Sequence, residues 1–368
     1  MLFDFLLSAD SLGHAQGQVR ALDASALCLD PRGLTGTEVT AFGLARMLAR
    51  QSHTVRFYTC WRVDGHILPG LSAHPMAGGP LLDEIADVAL AFHDASPLTG
   101  WPAAIRLAWH QTITPPHSER MAQEPVDAYI ASTDISAQHL STLTPDIPWY
   151  TVTNGWDYGV YPLPRPVEGR IFYHTSAERG LSLLLKAYPL IRRRFHKAHV
   201  VVYTRLDTVK QHHPGLWHAM EDEMYQPGMS LELHPEGASR NVVLEALSRA
   251  QVLAYPSEPN MPCEVMPLSV MEACALGVPV VTAPSDSFEL AFDKAIDVCP
   301  SPPSQHLEAF AEHVVHVLTD YKWRHDLGRR GKMWAKQHTF LQTTREFLSV
   351  VGQVLRHKEG ACSIDLDA

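Results

Sequence analysis

The sequence predicts an α/β protein of two Rossmann-like domains, and three observations carry that prediction. Apolar runs rich in β-formers alternate with stretches of helical periodicity along most of the chain. Several of those runs are continuous rather than polar–apolar alternations, as in parallel strands covered on both faces. A proline-rich break then divides the alternation into two series. The length of 368 residues agrees, at roughly 100–200 residues per domain, and suffices to bury a core without disulfides or metals.

In the first series Ala26–Leu29 reads as a strand, followed by the turn Pro31-Arg32-Gly33-Leu34-Thr35-Gly36. From Glu38 to Arg50, Val39, Phe42, Gly43 and Met47 fall on one helical face. Val55–Thr59 follows as a strand, and more strands are expected at Val88–Phe92, Ile105–Trp109, Tyr129–Thr133 and Tyr150–Val152. Prolines at 162, 164 and 166 stiffen the connector after Thr153-Asn154-Gly155-Trp156-Asp157.

The second series places strands at Ile171–Tyr173, Val200–Tyr203, Leu231–His234, Val252–Tyr255, Val278–Thr282 and Ile296–Cys299, with a helix over Gly180–Arg194. From Gln305 to about Arg356 the pattern is helical and amphipathic. The expected division is 1–160, 168–335, and a C-terminal helix and tail over 336–368.

Composition excludes several classes. Thirty basic against forty acidic residues give a net charge of -10, which argues against nucleic acid as the main partner. No apolar run approaches the roughly 18–20 residues of a membrane span. The start, MLFDFLLSAD, is short and lacks the basic n-region of a signal peptide. Six cysteines without a CxxC pair fit reduced thiols, so a cytoplasmic location is expected.

The strongest local feature runs from Cys263 to Val281. A helix is expected to open at Pro267, whose missing N–H costs nothing at the first helical position, and to close at Gly277 as a left-handed cap. Val265 and Met266 offer no side-chain acceptor, so the first amides remain available to an outside anion. Glu264 precedes the helix and Glu272 lies within it. Taken alone, the segment also fits a buried helix carrying two solvated glutamates.

These two glutamates, with seven residues between them and followed by Ala-x-x-x-Gly-Val-Pro-Val-Val, resemble the signature of retaining GT-B glycosyltransferases of family 4, the glycosyl transferases group 1. Thr35-Gly36-Thr37-Glu38 resembles that family's N-terminal glycine loop. Asp127–Ser132 and Val152–Asp157 resemble its interdomain approach, and Glu178–Ala187 the first helix of its C-terminal domain. The resemblance implies two domains facing across a cleft, with the C-terminal helix over 336–368 returning toward the N-terminal domain, and transfer of a sugar from a nucleotide-diphosphate donor to an acceptor hydroxyl, with retention. It implies a glycan, lipid-linked or small-molecule acceptor and no cofactor, since the nucleotide sugar is itself a substrate; no metal is expected, because no metal-ligand set is readable and Arg179 with helix amides can meet the diphosphate charge.

Carried over residue by residue, the resemblance gives Glu272 to the ribose and Glu264 to the transferred sugar. The amides of Met266 and Leu268, flanking Pro267, face the sugar and diphosphate, and Gly36 approaches the donor. Arg179 takes the place of a diphosphate-binding basic residue, a role its planar fork suits. His110 matches a histidine near the donor sugar. The family's second basic residue is replaced by His174, with Arg205 as another substitute. His93-Asp94 is a weaker candidate on the acceptor side.

The remaining clusters read as ordinary surface. His212, His213 and His218 surround a Pro-Gly loop without nearby carboxylates. Arg192-Arg193-Arg194 complements a helix C-terminus and is also able to make a weak contact with an anionic membrane surface. Asp365-Leu366-Asp367 is an Asp-x-Asp only in the tail. The other readings of the chain are another GT-B enzyme, such as a nucleotide-sugar epimerase or a sugar phosphorylase, and a catalytically silent relative that binds a glycan or a partner protein.

Overall fold

The computed structural model describes residues 1–7, 36–59, 65–112, 118–156, 164–257, 265–284 and 288–364. They form two compact units: one holds the described residues up to 156 together with 338–364, the other those of 164–337.

In the first unit the strands are Leu2–Leu7 (β1), Thr54–Thr59 (β2), Gly65–Leu68 (β3), Leu71–Pro75 (β4), Ala86–Phe92 (β5), Ala103–His110 (β6), Ala128–Ala131 (β7) and Trp149–Thr151 (β8). They form one sheet in the order β3-β4-β2-β1-β5-β6-β7-β8. Every pairing is parallel except the β3–β4 hairpin. The helices Gly36–Arg50 (α1) and Asp134–Ser141 (α2) accompany it.

Two features depart from the sequence reading. The hairpin is unanticipated, and the chain's first residues, to which the sequence reading gives no strand, form a central strand between β2 and β5. The reason is Asp4, which interrupts the apolar run of β1 but is fully buried. Arg56 donates from Nε to Asp4 Oδ1 at 2.6 Å and from Nη2 to Oδ2 at 2.9 Å, and the Trp101 indole donates to Oδ2 at 2.9 Å. A buried carboxylate is tolerated when it is paired and hydrogen-bonded in this way. The expected strand at Ala26–Leu29 and most of the turn after it lie outside the described residues.

One sheet face packs Phe3, Phe5 and Leu7 against Leu44 and Leu48 of α1 and against Phe347, Val350, Val351 and Val354 of the C-terminal helix Phe340–Ile364. That helix is held at its start. Glu346 Oε2 accepts from the Thr153 amide at 3.0 Å and hydroxyl at 2.8 Å, and Thr343 Oγ1 donates to the Thr153 carbonyl at 2.9 Å. Glycine is needed beside it: a Cβ on Gly155 would lie 2.6 Å from the Phe340 backbone nitrogen. Backbone cannot yield as a side chain can, so Gly155→Ala is expected to cost about 1–3 kcal/mol and lower the melting temperature by roughly 2–10 °C. Calorimetry checks this; an unchanged transition would contradict the packing.

The second unit contains Arg170–Tyr173 (β9), Leu181–Arg194 (α3), His199–Tyr203 (β10), Leu206–His212 (α4), Pro214–Met224 (α5), Leu231–His234 (β11), Arg240–Ser248 (α6), Val252–Tyr255 (β12), Leu268–Leu276 (α7), Val280–Thr282 (β13), Phe288–Phe292 (α8), Asp297–Val298 (β14), Leu307–Thr319 (α9) and Tyr321–Ala335 (α10). Its sheet is parallel throughout, in the order β11-β10-β9-β12-β13-β14. The near-continuous apolar strands are covered on one face by α3 and α9, through Leu181, Leu184, Leu185, Phe310 and Val314. Among the described residues no helix is long and apolar enough to cross a membrane.

Candidate functional site

In open parallel sheets a ligand crevice forms beyond the carboxyl ends of the strands, where the strand order reverses. In the second unit that point lies between β9 and β12. Two helices start at this edge: α3 after β9 and α7 after β12.

The loop after β9 is hung on buried tyrosines. Tyr173 donates its hydroxyl to the Ser176 carbonyl at 2.8 Å, and Thr175 Oγ1 lies 3.2 Å from the Tyr255 hydroxyl. Burial pushes both phenols up from their ordinary range, while the nearby positive charge of Arg179 acts in the opposite direction. Arg179 itself is half-buried. Gly180, which caps α3, has φ 106°, and a Cβ there would lie 2.2 Å from the Pro256 carbonyl oxygen. Only glycine satisfies both constraints, so β12 and the start of α3 approach closely at the reversal point. No side chain caps α3, and its first amides face that edge.

The second helix start is also without a side-chain cap. Pro267 is the cap residue (φ -68°, ψ 127°) and Leu268 opens α7, one residue later than expected. Gly277 closes the helix with φ 73°, as the sequence indicates. Met266 and Pro267 are buried, and Leu268 is half-buried. Glu272 is buried, and its Oε1 accepts from Arg240 Nε at 2.8 Å. Glu264 lies outside the described residues, as does Asp365-Leu366-Asp367.

Neither substitute for the second basic residue stands alone. His174 Nδ1 lies 3.1 Å from the Tyr203 carbonyl, to which it donates, so that nitrogen is already engaged. Arg205 donates to Asp207 Oδ2 at 3.0 Å. The arginine run ending α3 is similarly engaged: Arg192 donates to the Tyr188 hydroxyl at 2.6 Å, and Arg194 to Glu312 at 2.9 Å. Among the described residues no group of three metal-ligating side chains gathers, and His218 Nδ1 sits 2.6 Å from the Pro214 carbonyl one turn back.

The first unit reverses its strand order between β1 and β5, and β5 runs into His93. His93 has φ 61°, a left-handed backbone that costs a non-glycine residue about 1–2 kcal/mol. Its Nε2 lies 2.8 Å from Thr37 Oγ1, near the start of α1, which Gly36 opens. Asp94 accepts from the Ser96 amide at 3.0 Å and hydroxyl at 2.9 Å, which gives it a turn-holding role.

His110, at the end of β6, is buried with neither ring nitrogen hydrogen-bonded, and packs near the rings of Tyr129 and Trp149. Burial, together with the neighbouring His93, pushes its pKa down to about 3, and burial pushes His93 down to about 4. Both imidazoles are therefore neutral at ordinary pH. A neutral ring can exchange hydrogen bonds with a sugar hydroxyl but is a poor proton acceptor. Asn154 ties the neighbouring strand ends together, its Oδ1 accepting from Gln111 at 3.0 Å and Ser132 at 3.3 Å.

The structure thus places His174 and Arg179 after β9, Arg205 after β10 and Met266, Pro267 and Leu268 at the start of α7 after β12, with Glu272 further into α7, and Gly36 and His110 in the other unit. The sequence reading misses Thr37 as a partner of His93, and Arg240 altogether. The only local signal for Arg240 is its place: a cation in the first turn of a helix opposes the macrodipole.

Residues 168–320, from β9 to the end of α9, match the family model described as glycosyl transferases group 1. No curated protein matches the chain. Three solved structures resemble it along nearly its whole length. Sucrose-phosphate synthase from Thermosynechococcus elongatus is 13% identical, with a TM-score of 0.70 over 98% of this chain and 99% of its own. AviGT4, a glycosyltransferase involved in avilamycin A biosynthesis, is 14% identical, with a TM-score of 0.69 over 97% and 98%. Anabaena Alr3699/HepE, solved with UDP and glucose, is 11% identical, with a TM-score of 0.65 over 96% and 100%. Two parallel-sheet α/β domains in this chain order, matched end to end by these structures, make the fold that of the GT-B glycosyltransferases.

Proposed function

We propose that the protein transfers a sugar from a nucleoside-diphosphate sugar to an acceptor hydroxyl, with retention at the anomeric carbon. The observation that supports this best is the buried Glu272 on α7, in the stretch matched by glycosyl transferases group 1, beside the helix start without a side-chain cap at Leu268. In this reading Glu272 accepts hydrogen bonds from the ribose hydroxyls. Glu264 and His110 contact the transferred sugar, and the amides at Met266 and Leu268 face sugar and diphosphate.

The departing diphosphate gains negative charge. Arg179 and the amides at the starts of α3 and α7 stabilise it, and this lowers the barrier more than equal binding of substrate would. No side chain is assigned as a covalent nucleophile; the acceptor hydroxyl passes its proton to the leaving phosphate on the same face of the sugar. In this reading the acceptor is a glycan, a lipid-linked sugar or a small molecule, and the reaction runs in the cytoplasm without a cofactor or metal. The printed names of the matched structures support glycosyl transfer as the class of activity.

A panel of UDP-, GDP-, ADP- and dTDP-sugars tests this by thermal shift, since a ligand at about 100 times its Kd adds ~2.7 kcal/mol of stability. Product NMR then reads the anomeric configuration. Turnover is expected to survive exhaustive chelation, because Arg179 and helix amides supply the charge that a divalent ion would. A loss restored only by Mg²⁺ or Mn²⁺ would overturn the site assignment. One observation favours a second reading, a silent relative that binds without turnover: His174 is tied to Tyr203 and Arg205 to Asp207, so the second basic contact is weakened. Donor hydrolysis by the purified protein separates the two.

A further inference from the structure

The ion pair between Arg240 and Glu272 joins two helices of the second unit across 32 residues of sequence. Arg240 is the first residue of α6, where its charge faces the positive end of the helix dipole and Ser239 gives no side-chain cap. The position is unfavourable for a cation unless an acid elsewhere compensates it. Glu272 is one such acid: its side chain is 6% exposed, that of Arg240 19%. The pair is made by Nε and Oε1 at 2.8 Å rather than by the two-pronged fork, which leaves the carboxylate's second oxygen, Oε2, outside it.

A glutamate carboxylate turns easily about its last bond, whose torsion is broad and roughly two-fold. One charge-assisted hydrogen bond to Oε1 fixes the carboxylate plane and keeps a lone pair on each oxygen for other donors. A ribose presents two adjacent hydroxyls and suits an acceptor held in that plane.

We infer that Arg240 is a positioning residue that orients Glu272 and so sets the preference of the nucleotide site for ribose over deoxyribose. This rests on the proposed reading of Glu272 as the ribose contact. Without Arg240 the carboxylate would have to be ordered by the ligand itself, and that cost falls on the contact with the sugar hydroxyls rather than on the base or phosphates.

The test measures binding of UDP, GDP and ADP and of their 2′-deoxy counterparts by calorimetry, with the wild-type protein, Arg240→Gln and Arg240→Lys. Each affinity ratio is taken on a single preparation, so a partly unfolded variant still reports it. A hydroxyl bonded to a charged acceptor is worth roughly 10–100-fold, so the wild-type protein should prefer the ribonucleotide it binds by about that factor. In Arg240→Gln the preference should fall at least several-fold, chiefly through weaker ribonucleotide binding. Arg240→Lys, which keeps the charge but not the directed Nε–H, should lie between.

An unchanged ratio in Arg240→Gln, with the wild-type preference intact, overturns the role of Arg240 and leaves the ribose contact standing. So does equal weakening of both nucleotide forms, as a purely structural pair would give. A wild-type protein with no ribose preference overturns both.

Discussion

Glu272→Ala is expected to weaken binding of the bare nucleoside diphosphate roughly 10–100-fold, because the ribose is present in both donor and product and a hydrogen bond to a charged group is worth ~1.5–3 kcal/mol. Glu264→Gln should leave nucleotide affinity nearly unchanged and lower turnover, because the transferred sugar is absent from the product nucleotide. Calorimetry of nucleotide binding with steady-state rates on both variants separates the roles. Loss of nucleotide binding in Glu264→Gln with retention in Glu272→Ala would reverse the assignment. The buried position of Glu272 sharpens the choice of variant: removing it breaks a largely buried ion pair with Arg240, so melting temperature must be followed alongside affinity.

The second large effect is on stability in acid. His93 and His110 are held neutral, with pKa values of about 4 and about 3, both depressed chiefly by burial. A histidine whose folded pKa lies below its unfolded value binds its proton only on unfolding. The stability it contributes is complete above pH 6.5 and declines as pH falls through 6.5 toward the folded value. Each such group gives a slope of about 1.4 kcal/mol per pH unit in that window, and the two together about twice that.

His313 opposes them. Its hydrogen bond to Asp297 holds its pKa above 6.5, so its contribution is present at low pH and declines as pH rises through the folded value. The difference between wild-type protein and His110→Asn isolates one proton. Urea midpoints at pH 7.5, 6 and 5 should fall less steeply in the variant. Parallel profiles would mean that His110 is protonated as easily folded as unfolded, against its burial.

For catalysis the same depression has a plain consequence. A ring neutral down to about pH 3 gives no titration step in the rate near pH 6–7, so any such step must come from another group.

The sequence alone determined the parts fixed by near neighbours along the chain. Apolar runs broken by helical stretches gave the α/β class, and most strands fall within a residue or two of expectation: Val252–Tyr255 and Leu231–His234 are unchanged. Gly277 ended α7 because a left-handed cap is a property of one residue. The helix start without a side-chain cap was legible because capping needs an acceptor within a few positions, and Val265, Met266 and Pro267 carry none. Glu272 stood out by its spacing from Glu264 and from the Gly-Val-Pro turn.

What the tertiary structure decided are the pairings between residues remote in sequence. Leu2–Leu7 became a central strand only because Arg56, 52 residues away, neutralises Asp4. Val280–Thr282 is shorter than expected because the Gly277 cap and Pro279 delay the ladder. Arg205, read as a substitute for the second basic residue, is paired with Asp207, and Arg240, read as nothing at all, holds Glu272. His93 and His110 lie on different strands, and only the order β1-β5-β6 puts both at the same sheet edge with their charged forms disfavoured. Backbone preferences and caps draw on the nearest few residues, so they are written in the local sequence. An ion pair, a buried imidazole or a glycine under a phenylalanine draws its energy from groups brought near by the whole topology, so its partner is known only once the sheet order is.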